Sequence, residues 1–246
     1  MTIGHPIITF DTLESTNKTA AELLSLSKVQ HGAVILAREQ TSGLGQRGRS
    51  WISKAGADLM MSVVLKPPVL RAEDQFILSK VVSLAVRDVA ERITGSDVRI
   101  KWPNDILVDR RKLAGILIKN DVVGDLVTSS VVGVGINANS SEFPEELVAT
   151  SLFNETGRLM DLGELLTGVC AALNHWWGCW QEDPAGLDSH YCERLWARGR
   201  WAEVVLDGAS TQARPMDVDR HGRLIVELEG GKVAAYGLDR LRFAAR

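Results

Sequence analysis

The sequence predicts an α+β protein in two parts, a larger domain over residues 1–198 and a small all-β domain over residues 199–246. Three observations carry this. Apolar, β-branched runs of strand length lie at 33–37, 59–65, 112–118 and 126–136. Two longer stretches, 71–93 and 162–177, space their apolar residues at the helical period instead. After Gly199 the pattern changes to short strands separated by Asp207-Gly208, His221-Gly222 and Gly230-Gly231, the habit of a small barrel.

Composition limits what such a chain does. Its 246 residues are 45% hydrophobic and 24% charged, which supports one sizeable core and a small extra domain. A formal net charge of −3 gives no support for non-specific nucleic-acid binding. No apolar run reaches membrane-spanning length. Residues 1–10 lack the basic region and long apolar core of a secretion signal. Cys170, Cys179 and Cys192 have no CxxC spacing and an odd count, which fits a reduced cytoplasmic compartment. The histidines are scattered, and no metal site is expected.

Ile7 to Phe10 is strand-like. Glu14-Ser15-Thr16-Asn17 then precedes Ala20, Ala21, Leu23 and Leu24 at helical spacing, so one of these polar residues serves as N-cap. Hydroxyls at a helix N-terminus also suit a polar ligand, although spacing alone favours the cap. The strand from Ala33 leads through Glu39-Gln40 into the loop Thr41–Trp51. Gly43, Gly45 and Gly48 fit the letters G-x-G-x-x-G. A dinucleotide fingerprint requires a helix next, yet a turn at Gly56 and the strand Leu59–Leu65 follow, stopped by Pro67-Pro68. No Gly-Lys-Ser/Thr makes it a P-loop. The loop reads instead as a wrap for an anion. Its glycines allow close backbone approach, Arg47 and Arg49 supply forked cations, and Trp51 is a flat wall.

Residues 71–93 form a packing helix stopped by Gly95. The stretch Val98–Val108 consists of two strand-like halves around a polar break. Pro103 bends the path, so Lys101, Asn104 and Asp105 can point together into a site; a plain Pro-Asn-Asp turn is the alternative, and Trp102 is core. After a turn at 109–111, Lys112 opens a strand, either as a solvated end or as a site charge. Gly115 within that strand signals a close neighbour. The hairpin partner ends in Gly133-Val134-Gly135-Ile136-Asn137, with both glycines on one face. A bared face makes room for something, and Asn137 either reads it or caps the strand. Asp161 to Glu164 is a capping box that starts a helix. Trp176, Trp177 and Trp180 are packing residues, and Pro184 begins a short helix to about Trp196. The cluster Arg194, Arg198 and Arg200 is a solvated face.

The sequence thus offers cations without a Ser-His-Asp set, an activated cysteine or a metal cage. That suits a reaction of an anion at a nucleotide phosphate, catalysed by positioning and charge stabilisation. Carboxylate activation by ATP is one such reaction.

Taken in order, these motifs resemble the biotin–protein ligases, in the short form without an N-terminal DNA-binding domain. The stretches 14–17, 40–51, 101–105, 112–117 and 133–137 carry the likeness, and their combination is far more specific than any one of them. The resemblance implies a mixed-sheet catalytic domain akin to class II aminoacyl-tRNA synthetases, followed by an SH3-like barrel. It implies that biotin and MgATP form biotinyl-5′-adenylate and that a lysine of a biotin carboxyl carrier protein then displaces AMP. By motif, Ser15, Thr16 and Gln40 bind biotin's ureido ring, and Asn17, Leu44, Gly45 and Gln46 also belong to the biotin site. Gly115, Gly133 and Gly135 shape the pocket. Lys112 holds the biotin carboxylate and the α-phosphate, with Lys101 and Arg49 as further catalytic cations. Asp105 orients or deprotonates the incoming lysine. Arg47, Arg49, Trp51, Asn104 and Asn137 line the nucleotide side. The resemblance allows a homodimer and implies no DNA or membrane partner.

Many members of that family carry arginine where Leu44 and Gln46 stand, so a weaker hold on the adenylate with retained activity is expected. Two rival readings are a lipoate or octanoate ligase of the same superfamily and a non-catalytic biotin- or carrier-binding module.

Overall fold

A computed structural model describes residues 2–244. A seven-stranded mixed sheet and a five-stranded antiparallel sheet organise it. Strand β1 (Ile7–Leu13) lies parallel to β2 (Val34–Gln40), joined by helix α1 (Thr16–Ser25). A crossover helix is what a parallel neighbour requires. The later neighbours in this sheet are antiparallel: β3 (Leu59–Leu65), β4 (Val98–Lys101), β5 (Asp105–Val108), β6 (Arg111–Val123) and β7 (Leu126–Ile136), in the order β1-β2-β3-β7-β6-β5-β4. The loop after β2 contains only a 3₁₀ turn, Gln46–Gly48, before β3, so the helix of a dinucleotide fold is absent there.

The two faces of this sheet are covered unequally. The long helices α2 (Phe76–Thr94) and α4 (Leu162–Glu182) pack on one face, burying Val63, Val132 and Val134 with Leu84 and Val169. Gly95 ends α2 at φ 67°, the left-handed cap that glycine adopts at least cost. The Asp161 carboxylate caps α4 by accepting from Gly163 and Glu164 N–H. Trp176, Trp177 and Trp180 are buried along α4, and Trp176 Nε1 donates to Asp88. On the opposite face α1 packs on Ile35, Val64 and Val131, and its first residues Thr16 and Asn17 reach Ser62 and Leu117.

A short α3 (Leu152–Thr156) and α5 (Pro184–Glu193) complete the first part. Helix α5 stops three residues before the expected Trp196. Residues 194–196 are instead drawn onto the edge of β4, where Ile100 N–H donates to Arg194 O at 2.9 Å and Trp196 N–H to Ile100 O at 2.8 Å. The second sheet comprises β8 (Ala202–Leu206), β9 (Ala209–Val218), β10 (Leu224–Leu228), β11 (Val233–Tyr236) and β12 (Leu241–Phe243), in the order β11-β10-β9-β8-β12. Its inner side chains Val204, Val226 and Phe243 belong to the same apolar cluster as Ile100, Trp102 and Tyr191. Trp102 Nε1 donates across this junction to Gly222 O at 2.9 Å.

Candidate active site

Period-two alternation assembles the site. On the face that carries α1, Met60 of β3 lies opposite Gly135 of β7, which lies opposite Gly115 of β6. The next row is Ser62, Gly133 and Leu117. Three missing side chains therefore hollow one patch of an otherwise filled sheet. A Cβ on Gly133 would sit 2.4 Å from Asn17 Oδ1, and one on Gly135 would sit 2.5 Å from the Trp51 indole.

The closed end of the cleft is polar, and its hydrogen bonds have a fixed direction. Thr16 N–H donates to Gln40 Oε1 at 2.7 Å. A backbone N–H can only donate, so the oxygen of Gln40 faces Thr16 and its Nε2 is turned away. Asn17 Nδ2 donates to Leu117 O at 3.1 Å, which leaves Asn17 Oδ1 to accept from the Ser62 hydroxyl at 2.5 Å. Ser62 is fully buried and lies 2.8 Å from Thr16 Oγ1. Its single proton is drawn to Asn17. The Thr16 hydroxyl donates to Gln40 Oε1 at 3.1 Å and thus keeps acceptor capacity on its oxygen. Ser15 is the N-cap of α1 without a side-chain cap bond, and it is buried facing the cleft.

At the open end Lys112 and Asp105 meet, Nζ to Oδ1, at 2.7 Å. The β5–β6 hairpin sets this pair: Asp105 is opposite Gly115, and a register shift places Lys112 opposite Leu107. Both are partly exposed, so the pair contributes roughly 1 kcal/mol or less to stability. Asn104 anchors the turn between β4 and β5 through Nδ2 to Ile116 O at 2.9 Å. Asn137 is buried and donates to the carbonyls of Lys112 and Thr150, at 3.3 and 2.9 Å. In this structure its amide braces the root of Lys112 rather than pointing into the cleft.

Lys101 ends β4 beside this pair. Its ammonium is pushed below the ordinary lysine range, chiefly by burial. Asp105 opposes that shift, while Lys112 and Arg49 add to it.

The glycine-rich loop folds back over the cleft as a flap. Trp51 N–H donates to Gly43 O and Gly45 N–H to Arg49 O, at 2.9 and 2.7 Å. A Cβ on Gly43 would meet Trp51 O at 2.4 Å, which is why glycine is needed at that position. Leu44, Gly45 and Gln46 line the cleft. The Trp51 ring lies against Gly115 and Gly135, 5.5 Å from Lys112 Nζ, and its buried Nε1 has no partner. With the ring in this position about 50 Å³ stays free, far below the roughly 300 Å³ of a small-molecule pocket. Arg49 is exposed at the rim. Arg47 turns away and donates to the Leu238 carbonyl, between β11 and β12.

Sequence reasoning did not single out Ser62 or Asp58. The signal for Ser62 was a hydroxyl inside the apolar run Leu59–Leu65. Buried Asp58 accepts from Ala138 N–H and the Ser140 hydroxyl, at 2.8 and 2.6 Å, and so fixes the loop after β7.

The sequence pattern of the biotin/lipoate A/B protein ligase family matches residues 9–137. The chain belongs to that family. Within it, a bifunctional ligase/repressor BirA of Bacillus spizizenii is 38% identical, over 96% of this chain and 74% of that protein. A biotin–[acetyl-CoA-carboxylase] ligase of Paracoccus denitrificans is 37% identical, over 85% of this chain and 87% of that one. Among solved structures, the biotin protein ligase of Aquifex aeolicus in complex with biotin and ATP aligns with a TM-score of 0.79 at 24% identity. That alignment covers 98% of this chain and 100% of the other, so the ligase fold extends over both sheets. No helix among the described residues is long and apolar enough to cross a membrane.

Proposed function

We propose that this chain is an ATP-dependent biotin–protein ligase that forms biotinyl-5′-adenylate and transfers biotin to a lysine of the biotin carboxyl carrier protein of acetyl-CoA carboxylase. The reading rests on one observation above all: a polar end lined by Ser15, Thr16, Asn17 and Gln40, joined by a glycine-bared floor to the Lys112 ammonium. A cyclic urea presents N–H and C=O side by side and matches that end. An apolar ring and acyl chain match the floor, and a carboxylate matches Lys112. The names of the ligase relatives agree with it.

In the first step a biotin carboxylate oxygen attacks the α-phosphorus of ATP, the bond to the bridging oxygen breaks, and pyrophosphate leaves. Lys112 neutralises carboxylate and α-phosphate together, and Lys101 and Arg49 neutralise the outgoing charge. In the second step the carrier lysine amine attacks the acyl carbon and AMP leaves, with Asp105 positioned to take the amine proton. Asn104 and Asn137 hold the two backbone segments that present Asp105 and Lys112. Trp51 moves off the floor to admit the acid and then covers it, which gives its Nε1 a partner. Among the described residues no three His, Cys, Asp or Glu side chains gather as a metal site. In this reading Mg²⁺ accompanies the ATP phosphates as part of the substrate.

In the same reading the domain boundary falls at 198/199, the first sheet is the synthetase-like catalytic domain, and the second is an SH3-like barrel. The protein works in the cytoplasm, without a DNA partner. The free state of all three cysteines is compatible with that compartment.

The test is pyrophosphate release by the purified protein with MgATP and, in separate arms, biotin, lipoate or octanoate, followed by transfer to a carrier domain. Release with biotin alone is expected. No release with biotin, or faster release with lipoate or octanoate, would overturn the reading.

A further inference from the structure

We propose that the C-terminal sheet completes the active site through Phe243, which together with Trp196 positions the Lys101 ammonium for the ATP phosphates. The proposal rests on the reading of Lys101 given above and adds to it.

The observation is geometric. Lys101 Nζ lies 5.7 Å from the centroid of the Trp196 ring and 5.7 Å from that of Phe243. The two rings meet edge to face at 5.0 Å. Among the described residues Lys101 has no carboxylate within ion-pair distance, and the Asp105 carboxylate meets Lys112 instead. A half-buried ammonium next to Lys112 and Arg49, with no ion-pair partner of its own, needs another source of stabilisation. Two ring faces supply it without filling its hydrogen-bonding sites. The rings carry no acceptor lone pair to compete with an anion for the ammonium, as a carboxylate partner would.

Both rings are held by backbone rather than by chance contact. Trp196 is fixed by its N–H bond to Ile100 O, one residue before Lys101. Phe243 is fixed opposite Val204 by the β12–β8 ladder and is buried in the core between the two sheets. The bond from Arg47 to Leu238 O joins the same small sheet to the flap by an independent route. The small sheet thus touches the site at two points, Lys101 and the flap.

The experiment uses the full chain and single-turnover adenylate formation, with ATP KM and calorimetric biotin affinity measured alongside. Phe243→Leu is expected to slow adenylation about three- to tenfold, the span of a partly buried cation–π contact, with biotin affinity unchanged. Phe243→Tyr should restore the rate to within about twofold, since the ring face is kept. In a Lys101→Ala background Phe243→Leu should cost nothing further, because the group it positions is gone. Trp196→Leu, at a less buried ring, repeats the test should Phe243→Leu fail to fold. A Phe243 effect that persists in full in the Lys101→Ala background, or that falls equally on biotin affinity, overturns the proposal. Full activity of Lys101→Ala alone overturns the assignment of Lys101, and is recognised separately from a failure of biotin activation itself.

Discussion

Replacing Gly133 by alanine puts one methyl group where the cleft floor meets α1. The new Cβ would lie 2.4 Å from Asn17 Oδ1 and 2.8 Å from Asn17 Cγ and Nδ2, so the amide must move. Moving it breaks the bonds to Leu117 O and from Ser62 Oγ. Two such bonds are worth roughly 1 kcal/mol each, and overpacking a buried strand adds about 1–3 kcal/mol. The expected loss is therefore about 3–5 kcal/mol, which lowers Tm by roughly 6–20 °C in a chain of this size. Asn17 also holds the Ser62 proton that leaves Thr16 Oγ1 free to accept. Biotin KM should accordingly rise more than about tenfold, the factor that one lost hydrogen bond of about 1.4 kcal/mol produces. The control is Gly178→Ala on α4, where nothing lies within 4 Å of the new methyl; there alanine should gain about 0.5–1 kcal/mol through helix propensity. Thermal melting and steady-state pyrophosphate release measure both variants. A Gly133→Ala protein with unchanged Tm and biotin KM would refute the bared-floor argument.

Other outcomes follow from the same geometry. Lys112→Ala should lower adenylation kcat by about 10²–10³, the usual cost of removing one donor to developing charge, while Tm shifts by only about 1–4 °C, since the ion pair is partly exposed. Equal activity in pyrophosphate release would remove Lys112 from the mechanism. Leu44→Arg with Gln46→Arg adds two cations beside the cleft and should slow escape of the adenylate from the enzyme at low salt, measured by filter retention of labelled intermediate; an unchanged escape rate would show that side-chain charge does not hold it. Burial pushes the Cys170 thiol up to about 11, and burial with a bond to Asp217 does the same for Cys192. At pH 8 only about one part in a thousand of each is thiolate, so alkylation should begin at the half-buried Cys179. Modification of Cys192 first would contradict this.

Much of the fold was legible because its strands are buried runs bounded by turn residues. The alternation that put Gly133 and Gly135 on one face holds in the sheet, as do the Asp161 cap and the buried tryptophans of α4. What sequence could not supply was pairing across long separations. Asp105 and Lys112 are close in sequence, yet their contact depends on a register shift in the β5–β6 hairpin that no local propensity encodes. Ser62 looks unremarkable in its own strand, and only the packing of α1 brings it to Thr16. Phe243 lies 142 positions beyond Lys101, and a lone aromatic in a short terminal strand reads as core. The end of α5 was misplaced because residues 194–196 trade helical bonds for bonds to Ile100, a tertiary effect that overrides local preference.

The apolar cluster that runs without a break from Ile100 and Trp102 into Val204, Val226 and Phe243 bears on how this protein melts. Two units joined by a wet, polar seam unfold one after the other. Here the seam is core, and cutting the chain after residue 198 would leave Trp102 and Tyr191 facing water. Heating should therefore give one calorimetric transition, with amides of β4 and β9 exchanging at the same global rate. Trimming away the small sheet should destabilise the larger sheet with it, since the two share one apolar cluster.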